Sequence, residues 1–242
     1  MADADTHATT FLIHTTDFEA KSQGKTLTGY ACHFDLSAYR DPLYAHHAVD
    51  YPPQLARAVN KRRAEYLAGR ICARRVLHRL GLEQTQIAIG PNREPLWPPG
   101  LMASISHAGD RAVCIATLDP EVIGLGIDIE RGIKPELAAD IRGVVVDADE
   151  EALIRADSAD FPLGLAAAFS AKESLYKALY PQVRRFFGFE AMRLIRIDPG
   201  QLLFAAAKTL APGVLAGQTF AVDFRFDDDG VRSIACVLAE RD

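Results

Sequence analysis

The strongest constraint on the fold comes from two clusters of turn residues near the C-terminus, at 198–200 and 227–230. Each cluster separates two apolar runs, which are 193–197 and 202–207 in the first case and 219–226 and 231–238 in the second. Apolar runs joined by Asp, Pro and Gly predict β-hairpins. Within the third run, phenylalanine and valine alternate with less apolar residues, as expected for a strand with one buried face. This part of the chain is therefore predicted to form an antiparallel sheet.

Helices are predicted between the apolar runs. A basic segment at 54–80 reads as a long helix stopped by Gly81, and 163–179 reads as a second helix ended by Pro181. Residues 134–160 are polar and acidic, which indicates helix and loop. A third hairpin is predicted from 111–129, with its turn at 119–122. Helices mixed with antiparallel hairpins indicate an α+β fold rather than a doubly wound parallel sheet.

Composition narrows the class of protein. The 242 residues are 49% hydrophobic with a net charge of −5, which suits one large domain or two halves and disfavours a general nucleic-acid binder. The acidic N-terminus lacks the apolar core of a signal peptide, and no apolar stretch is long enough for a membrane span. The four cysteines lie far apart without a C-x-x-C pair, which indicates buried thiols and a cytoplasmic location.

The segment 169–178 carries the first sign of chemistry. Glu173 and Lys177 are four residues apart and share a helix face, with Lys172 beside it. A carboxylate between two lysines suggests a metal ion and a polyphosphate held side by side. The alternative is a solvated ion pair, which is common on helix surfaces and worth only about 0.3–0.5 kcal/mol.

A second pair of acidic residues points to the same chemistry. Asp128 and Glu130 lie two apart in a β-branched run, so both carboxylates project from one face of a strand. Mg²⁺ binds one or two carboxylates together with waters and phosphate oxygens. With Glu173, these residues could supply the protein ligands of a metal site. The alternative is the polar face of an exposed strand.

The N-terminal half contributes cations. The basic helix carries seven lysines and arginines over 61–79, among them Arg62 and Arg70, and arginine's planar fork matches phosphate. Arg93 adds a cation beside Glu94-Pro95. Ser106-His107 indicates phosphate contact more than nucleophilic catalysis, because no Gly-x-Ser-x-Gly elbow is present.

Five segments in this order resemble one enzyme family. They read Lys61-Arg62-Arg63-Ala64-Glu65-Tyr66-Leu67-Ala68-Gly69-Arg70, Arg93-Glu94-Pro95-Leu96-Trp97-Pro98, Ser104-Ile105-Ser106-His107, Gly126-Ile127-Asp128-Ile129-Glu130 and Phe169-Ser170-Ala171-Lys172-Glu173-Ser174-Leu175-Tyr176-Lys177-Ala178. Together they resemble the 4′-phosphopantetheinyl transferases of the long, monomeric type, especially the enterobactin synthase component D subgroup. The resemblance covers about residues 55–190. One departure is Ala103-Ser104, where many relatives have Gly-Ser.

The resemblance implies a fold and a reaction. The fold is an α+β pseudo-dimer of two similar halves, 1–120 and 121–242, each a small antiparallel sheet packed with helices, with the active site in the cleft between them. The reaction moves the 4′-phosphopantetheine group of coenzyme A onto a serine of an apo-carrier protein and releases adenosine 3′,5′-bisphosphate. It uses Mg²⁺, or Mn²⁺ in its place. The subgroup suggests non-ribosomal peptide synthesis of a siderophore.

The resemblance also implies residue roles. Asp128, Glu130 and Glu173 become metal ligands in the C-terminal half. Lys172 and Lys177 become catalytic cations that contact the diphosphate, and Glu173 becomes the general base, directly or through a water molecule. The N-terminal half would contact the nucleotide and phosphates of coenzyme A. The residues implied there are Arg62, Arg70, Arg93, Ser106 and His107.

Two other functions stay open at this stage. A coenzyme A diphosphate hydrolase would use the same metal and cations with water as the nucleophile. A non-catalytic coenzyme A-binding module is the other alternative, although pure binding would not need three metal-binding carboxylates.

Overall fold

The computed structural model describes residues 11–83, 85–132, 135–228 and 230–239. The chain divides into two compact units, one containing residues 11–21 and 25–119 and the other containing residues 22–24 and 120–239. Each unit is an antiparallel sheet packed with helices, so the predicted α+β fold with two such halves is confirmed. The predicted cleft location of the active site stays a prediction.

The first unit packs one long helix on a sheet. Its elements are β1 (Leu12–Ser22, of which the last residue belongs to the second unit), β2 (Lys25–Phe34), α1 (Leu43–His46), α2 (Asn60–Arg79), β3 (Ala88–Ile89), β4 (Pro95–Leu96), β5 (Met102–Ala108) and β6 (Arg111–Thr117). The sheet has the order β1-β2-β6-β5, and β3 pairs with β4 separately. Helix α2 packs on β2, β5 and β6 around buried residues that include Leu67 and Leu77.

The second unit has a larger sheet with a buried helix. Its elements are β7 (Val122–Glu130), α3 (Pro135–Val145), α4 (Ala148–Asp157), α5 (Phe161–Val183), β8 (Met192–Asp198), β9 (Gln201–Ala206), β10 (Thr219–Asp227) and β11 (Gly230–Leu238). The sheet order is β7-β11-β10-β9-β8. Helix α5 packs on β7, β11 and β10, around a core that includes Leu175 and Phe204.

Both hairpins predicted near the C-terminus are confirmed, and the hairpin predicted at 111–129 is wrong. Strands β8 and β9 pair across the first turn cluster, and β10 and β11 pair across the second. Strand β6 instead pairs with β2 and β5, whereas β7 pairs with β11. A turn signal reports a local change of chain direction but not the partner of each strand, and this turn falls where the chain passes from one unit to the other.

The helix bounds differ from the prediction in instructive ways. Helix α2 begins at Asn60, not at 54, because Val59 has an extended backbone (φ −70°, ψ 156°). It ends as predicted near Gly81, which has a φ of +75°. Helix α5 continues through Pro181 and ends before Arg184, which is left-handed with a φ of +52°. None of the helices in the described part of the chain is long and apolar enough to span a membrane.

Two glycines let α5 lie directly on β7. A side-chain carbon at Gly124 would collide with the carbonyl oxygen of Ala178, and one at Gly126 would collide with the carbonyl oxygen of Ser174. Two residues of a strand span about 6.6 Å, and four residues of a helix span about 6 Å. The spacing of the two glycines on β7 therefore matches the spacing of Ser174 and Ala178 on α5, which runs antiparallel to the strand. The same face of β7 continues to Asp128, which the packing therefore brings beside α5.

Lys172 lies inside the second unit rather than on a solvated face. Its ammonium is 2.7 Å from Glu150 Oε1 and donates to the carbonyl oxygens of Val145 at 2.7 Å and Phe189 at 3.3 Å. Glu150 also accepts from the backbone N–H groups of Leu194 and Asp147. Burial lowers the pKa of Lys172, and the adjacent Glu150 opposes that shift. The pair thus joins α5 to the ends of α3 and α4 and to the start of β8.

We expect Gly126→Ala to lower the free energy of unfolding by about 3 kcal/mol, because the new methyl group meets backbone that cannot move independently. Gly143→Ala is the matched control, since Gly143 is exposed in α3 with nothing near its added carbon. That change should stabilise the protein by about 0.5–1 kcal/mol. Denaturant unfolding measures both. Equal stability of Gly126→Ala and the wild type would contradict the close contact.

We expect Lys172→Met to destabilise the protein by about 3–5 kcal/mol, because it leaves the Glu150 carboxylate buried without its cation. Lys208→Met removes the lysine of an exposed pair with Glu190, whose side chains are 57% and 70% exposed. It should change stability by less than about 1 kcal/mol. Similar losses for both variants, measured by thermal unfolding, would show that burial does not strengthen the Lys172–Glu150 pair.

Candidate active site

A buried carboxylate and a lysine form the centre of the candidate site. Lys177 Nζ donates to Asp128 Oδ1 at 2.7 Å and to the carbonyl oxygen of Ile127 at 2.9 Å. The Asp128 side chain is 5% exposed and that of Lys177 is 26% exposed. Asp128 comes from β7 and Lys177 from α5, so the close packing of these two elements creates the pair.

Glu173 lies one turn before Lys177 and belongs to the same group of charges. Burial raises the pKa of Glu173, Lys177 opposes the shift, and the charge of Asp128 raises the pKa further. Lys177 lies one helical turn from Glu173 and bonds Asp128, so the two carboxylates share one neighbouring ammonium. A carboxylate with a raised pKa is more basic than one in water, which favours its use as a proton acceptor.

The acidic residues fit a divalent cation through fewer ligands than predicted. Across the described ranges, no group of three or more His, Cys, Asp or Glu side chains is arranged to hold a metal ion. Mg²⁺ needs only one or two protein carboxylates when phosphate oxygens complete its shell. Asp128 and Glu173 carry such oxygens on the two elements that meet at Lys177, and Asp128 already binds one cation, the Lys177 ammonium. The donor set therefore fits Mg²⁺, with Glu130 two residues further along the same face of β7.

Lys172 does not share this group of charges. At 100° per residue, Lys172 and Lys177 point about 140° apart around α5. The buried ion pair with Glu150 takes the Lys172 ammonium to the α3 and α4 side of the helix. Its contacts therefore support a structural role and not the predicted contact with a diphosphate.

The first unit holds a second polar cluster, on α2 and β5. Arg62 Nη1 lies 2.8 Å from His107 Nε2. Because arginine can only donate, Nε2 accepts this hydrogen bond and the ring proton lies on Nδ1. Glu65 Oε2 is 3.8 Å from both His107 Nδ1 and Arg62 Nη1. Arg62 and His107 are thus brought together, as their shared predicted role requires.

The other residues predicted for this unit are more dispersed. Ile105 packs toward α2, and side chains alternate along β5. His107 therefore shares the α2 face of the sheet with Ile105, whereas Ser106 lies on the opposite face. Arg70 is buried, with its guanidinium carbon 4.5 Å from the centre of the Tyr66 ring and its Nε donating to the Tyr66 hydroxyl. Arg93 is exposed in the turn between β3 and β4.

Sequence reasoning missed several residues around these clusters. Glu65 is not among the predicted site residues, although its spacing of three from Arg62 marks it as a neighbour on α2. Three buried serines, Ser170, Ser174 and Ser233, also connect α5 to β11. Ser170 and Ser174 are four apart, which was a readable signal, whereas their contact with Ser233 depends on strand pairing.

Comparison with known proteins gives matches in both units. A model of the 4′-phosphopantetheinyl transferase N-terminal domain matches residues 51–117. A model of the 4′-phosphopantetheinyl transferase superfamily matches residues 124–237. The second match contains Asp128, Glu173 and Lys177, and the first contains Arg62 and His107.

Curated relatives agree with these matches. Enterobactin synthase component D of Salmonella typhimurium is 36% identical over 197 residues, which cover 78% of this chain and 80% of that protein. A 4′-phosphopantetheinyl transferase of Mycobacterium tuberculosis is 36% identical over 161 residues, covering 63% of this chain and 66% of its own length. A third relative, the 4′-phosphopantetheinyl transferase of Nocardia iowensis, is 36% identical over 158 residues. The chain therefore belongs to the 4′-phosphopantetheinyl transferase superfamily of enzymes.

Proposed function

We propose that this protein transfers the 4′-phosphopantetheine group of coenzyme A to a serine of an apo-carrier protein. The observation that carries the proposal is the grouping of Asp128, Lys177 and Glu173 where α5 packs on β7, in a member of this superfamily. Several relatives are named enterobactin synthase component D, which supports the proposal that the acceptor is a carrier domain of siderophore peptide synthesis.

In the proposed reaction, the serine oxygen attacks the phosphorus that bears pantetheine. The bond from this phosphorus to the bridging oxygen breaks, and adenosine 3′,5′-bisphosphate leaves with the electron pair. Glu173 accepts the serine proton, because burial and the charge of Asp128 make it a stronger base than an exposed glutamate. The proton can reach Glu173 directly or through a water molecule, and the overall reaction is the same in both cases.

The cations of the second unit would stabilise the diphosphate. Lys177 places an ammonium against Asp128, where phosphate oxygens can approach the same charge. Asp128 and Glu173 would hold Mg²⁺, as the two protein carboxylates that such an ion needs beside phosphate oxygens. Bound Mg²⁺ would supply positive charge that offsets the negative charge developing on the phosphate oxygens. Lys172 would hold α5 in place through Glu150 and would not contact the diphosphate.

In the first unit, we assign Arg62 and His107 to the nucleotide-phosphate part of coenzyme A. Arg62 keeps an exposed, permanently charged side chain, and its contact with His107 orients both groups. Arg70, Arg93 and Ser106 are not gathered with this pair. Arg70 is packed on Tyr66, Arg93 is exposed in a turn, and Ser106 lies on the opposite sheet face from His107.

A labelling experiment tests the function. The protein is incubated with coenzyme A, MgCl₂ and an apo-carrier domain of a peptide synthetase, with a fatty-acid carrier in parallel, and products are measured by intact-protein mass spectrometry. Transfer adds one phosphopantetheine group to the carrier. Consumption of coenzyme A with an unmodified carrier would instead indicate a diphosphate hydrolase, and binding without consumption would indicate a binding module. Full turnover in excess EDTA would disprove the metal role.

We expect Glu173→Gln to reduce transfer by at least about 100-fold, because it removes the base while keeping the size of the side chain. Coenzyme A should still bind, as measured by calorimetry without metal. The same change should raise the free energy of unfolding of the unliganded protein at pH 8, because it removes a partly buried charge whose pKa is raised in the folded state. Glu190→Gln, at a 70% exposed side chain, is the control and should change neither quantity. Wild-type turnover by Glu173→Gln would eliminate Glu173 as the base.

The segment after α5 offers a docking surface for the carrier. Phe186 is 81% exposed, although its ring lies 6.0 Å from that of Tyr176 on α5. Arg184 and Arg185 precede it and are both exposed. An exposed aromatic ring beside two arginines suits an acidic partner with an apolar contact at its centre.

We expect the double variant Arg184→Glu/Arg185→Glu to raise the apparent KM for the carrier about tenfold, because charge reversal slows association with an acidic partner. The KM for coenzyme A should stay unchanged. The matched control is Arg142→Glu/Arg196→Glu, which alters net charge equally at side chains that are 51% and 59% exposed. An equal increase in both KM values, or in both double variants, would rule out a docking role for this segment.

A further inference from the structure

Three serines form a polar cluster inside the second unit. Ser170, Ser174 and Ser233 are each 0% exposed. Ser233 Oγ lies 2.8 Å from Ser170 Oγ and 2.6 Å from Ser174 Oγ. Around them the contact face of α5 consists of small residues such as Ala167, Ala171 and Ala178. Alanine would fill nearly the same space at these positions, so close packing alone does not require the three hydroxyl groups.

One hydrogen-bond assignment satisfies all three hydroxyls. Ser174 Oγ donates to the carbonyl oxygen of Ser233 at 3.2 Å. Ser233 Oγ can then donate to Ser174 Oγ, and Ser170 Oγ can donate to Ser233 Oγ. Each hydroxyl gives its one proton, and the chain of donors ends on a backbone carbonyl. The helix is thereby tied to β11 at two points four residues apart.

Strand register links this cluster to the candidate active site. Ser233 on β11 is the direct partner of Asp128 on β7. Residues directly opposite in an antiparallel pair point to the same face of the sheet, which here is the face covered by α5. Ser174 is the neighbour of Glu173 along the helix. A short path of contacts therefore runs from Asp128 through Ser233 and Ser174 to Glu173.

Hydrogen bonds and small-residue packing constrain the helix in different ways. The contact of Ser174 with Gly126 sets how closely α5 approaches β7. Packing between small residues is nondirectional, so it tolerates a slide or rotation of the helix. Hydrogen bonds depend strongly on angle and distance, so those at Ser233 fix the position of α5 along the sheet. A displacement of about 1 Å at a reacting group can cost about 100-fold in rate.

We propose that Ser233, through its hydrogen bonds to Ser170 and Ser174, is a positioning residue that sets the placement of Glu173 relative to Asp128. The inference rests on the proposed function, because it assigns the serine cluster a role in the transfer reaction. None of the three serines contacts the reacting atoms in this assignment.

The test compares Ser233→Ala with the triple variant Ser170→Ala/Ser174→Ala/Ser233→Ala. The single variant leaves two buried hydroxyls with fewer partners and should lose stability, whereas the triple variant removes the whole set and should recover most of it. In both variants we expect kcat to fall about tenfold to 100-fold while the KM for coenzyme A changes less than about twofold. A merely structural role predicts instead that kcat recovers together with stability in the triple variant, and this result would overturn the inference.

Ser22→Ala is the matched control. Ser22 is a buried serine that donates to Asp223 at 2.6 Å, outside the proposed machinery. It should lose stability without the fall in kcat, with all assays run well below each unfolding midpoint. A fall in kcat in Ser22→Ala as large as in Ser233→Ala would also overturn the inference.

A second measurement does not depend on activity. Crystal structures of the wild type and the triple variant should differ by about 1 Å in the position of the Glu173 carboxylate relative to Asp128. An unchanged position would refute the positioning role even in an active enzyme. A wild type that fails to label any carrier would refute the proposed function, and the structural comparison would still decide whether the serines position Glu173.

Discussion

The close contact between α5 and β7 is the constraint on which the second unit depends. Gly124 and Gly126 leave no side chain between strand and helix, so the backbone of β7 meets the carbonyl groups of Ala178 and Ser174. The next residue on this face is Asp128, and it is the first with a side chain long enough to reach Lys177. The two buried glycines thus bring the charged side chains of Asp128 and Lys177 together, so the arrangement of the site follows from backbone packing.

Lys172 and Lys177 belong to one short motif but have different partners, because they point about 140° apart around α5. Lys177 lies near the β7 side and holds Asp128, whereas Lys172 turns toward Glu150 in the interior. A buried ion pair is costly to form but strongly destabilising to break, so Lys172 suits the task of fixing α5 to its neighbours. Lys177 retains partial exposure, which a diphosphate ligand requires.

Sequence patterns predicted the α+β class and the two C-terminal hairpins, and the family resemblance gave Arg62 and His107 a shared role, whereas their direct contact is known only from the structure. The patterns did not predict that β6 and β7 belong to different sheets, or that Ser106 and His107 lie on opposite faces. The opposite faces of Ser106 and His107 could have been read from the sequence, because adjacent residues on a strand alternate. The separation of β6 from β7 could not, since strand partners are chosen by contacts between residues far apart in the chain.

Residue type and spacing along one element carry the information that can be read from the chain alone. They identify Glu173 and Lys177 as neighbours on a helix, Asp128 and Glu130 as neighbours on a strand, and the family to which the motifs belong. The meeting of helix and strand, the turn of Lys172 into the core and the alignment of Ser233 with Asp128 depend on the folded chain. Local periodicity depends on nearby residues, whereas register and burial arise only when distant segments pack together.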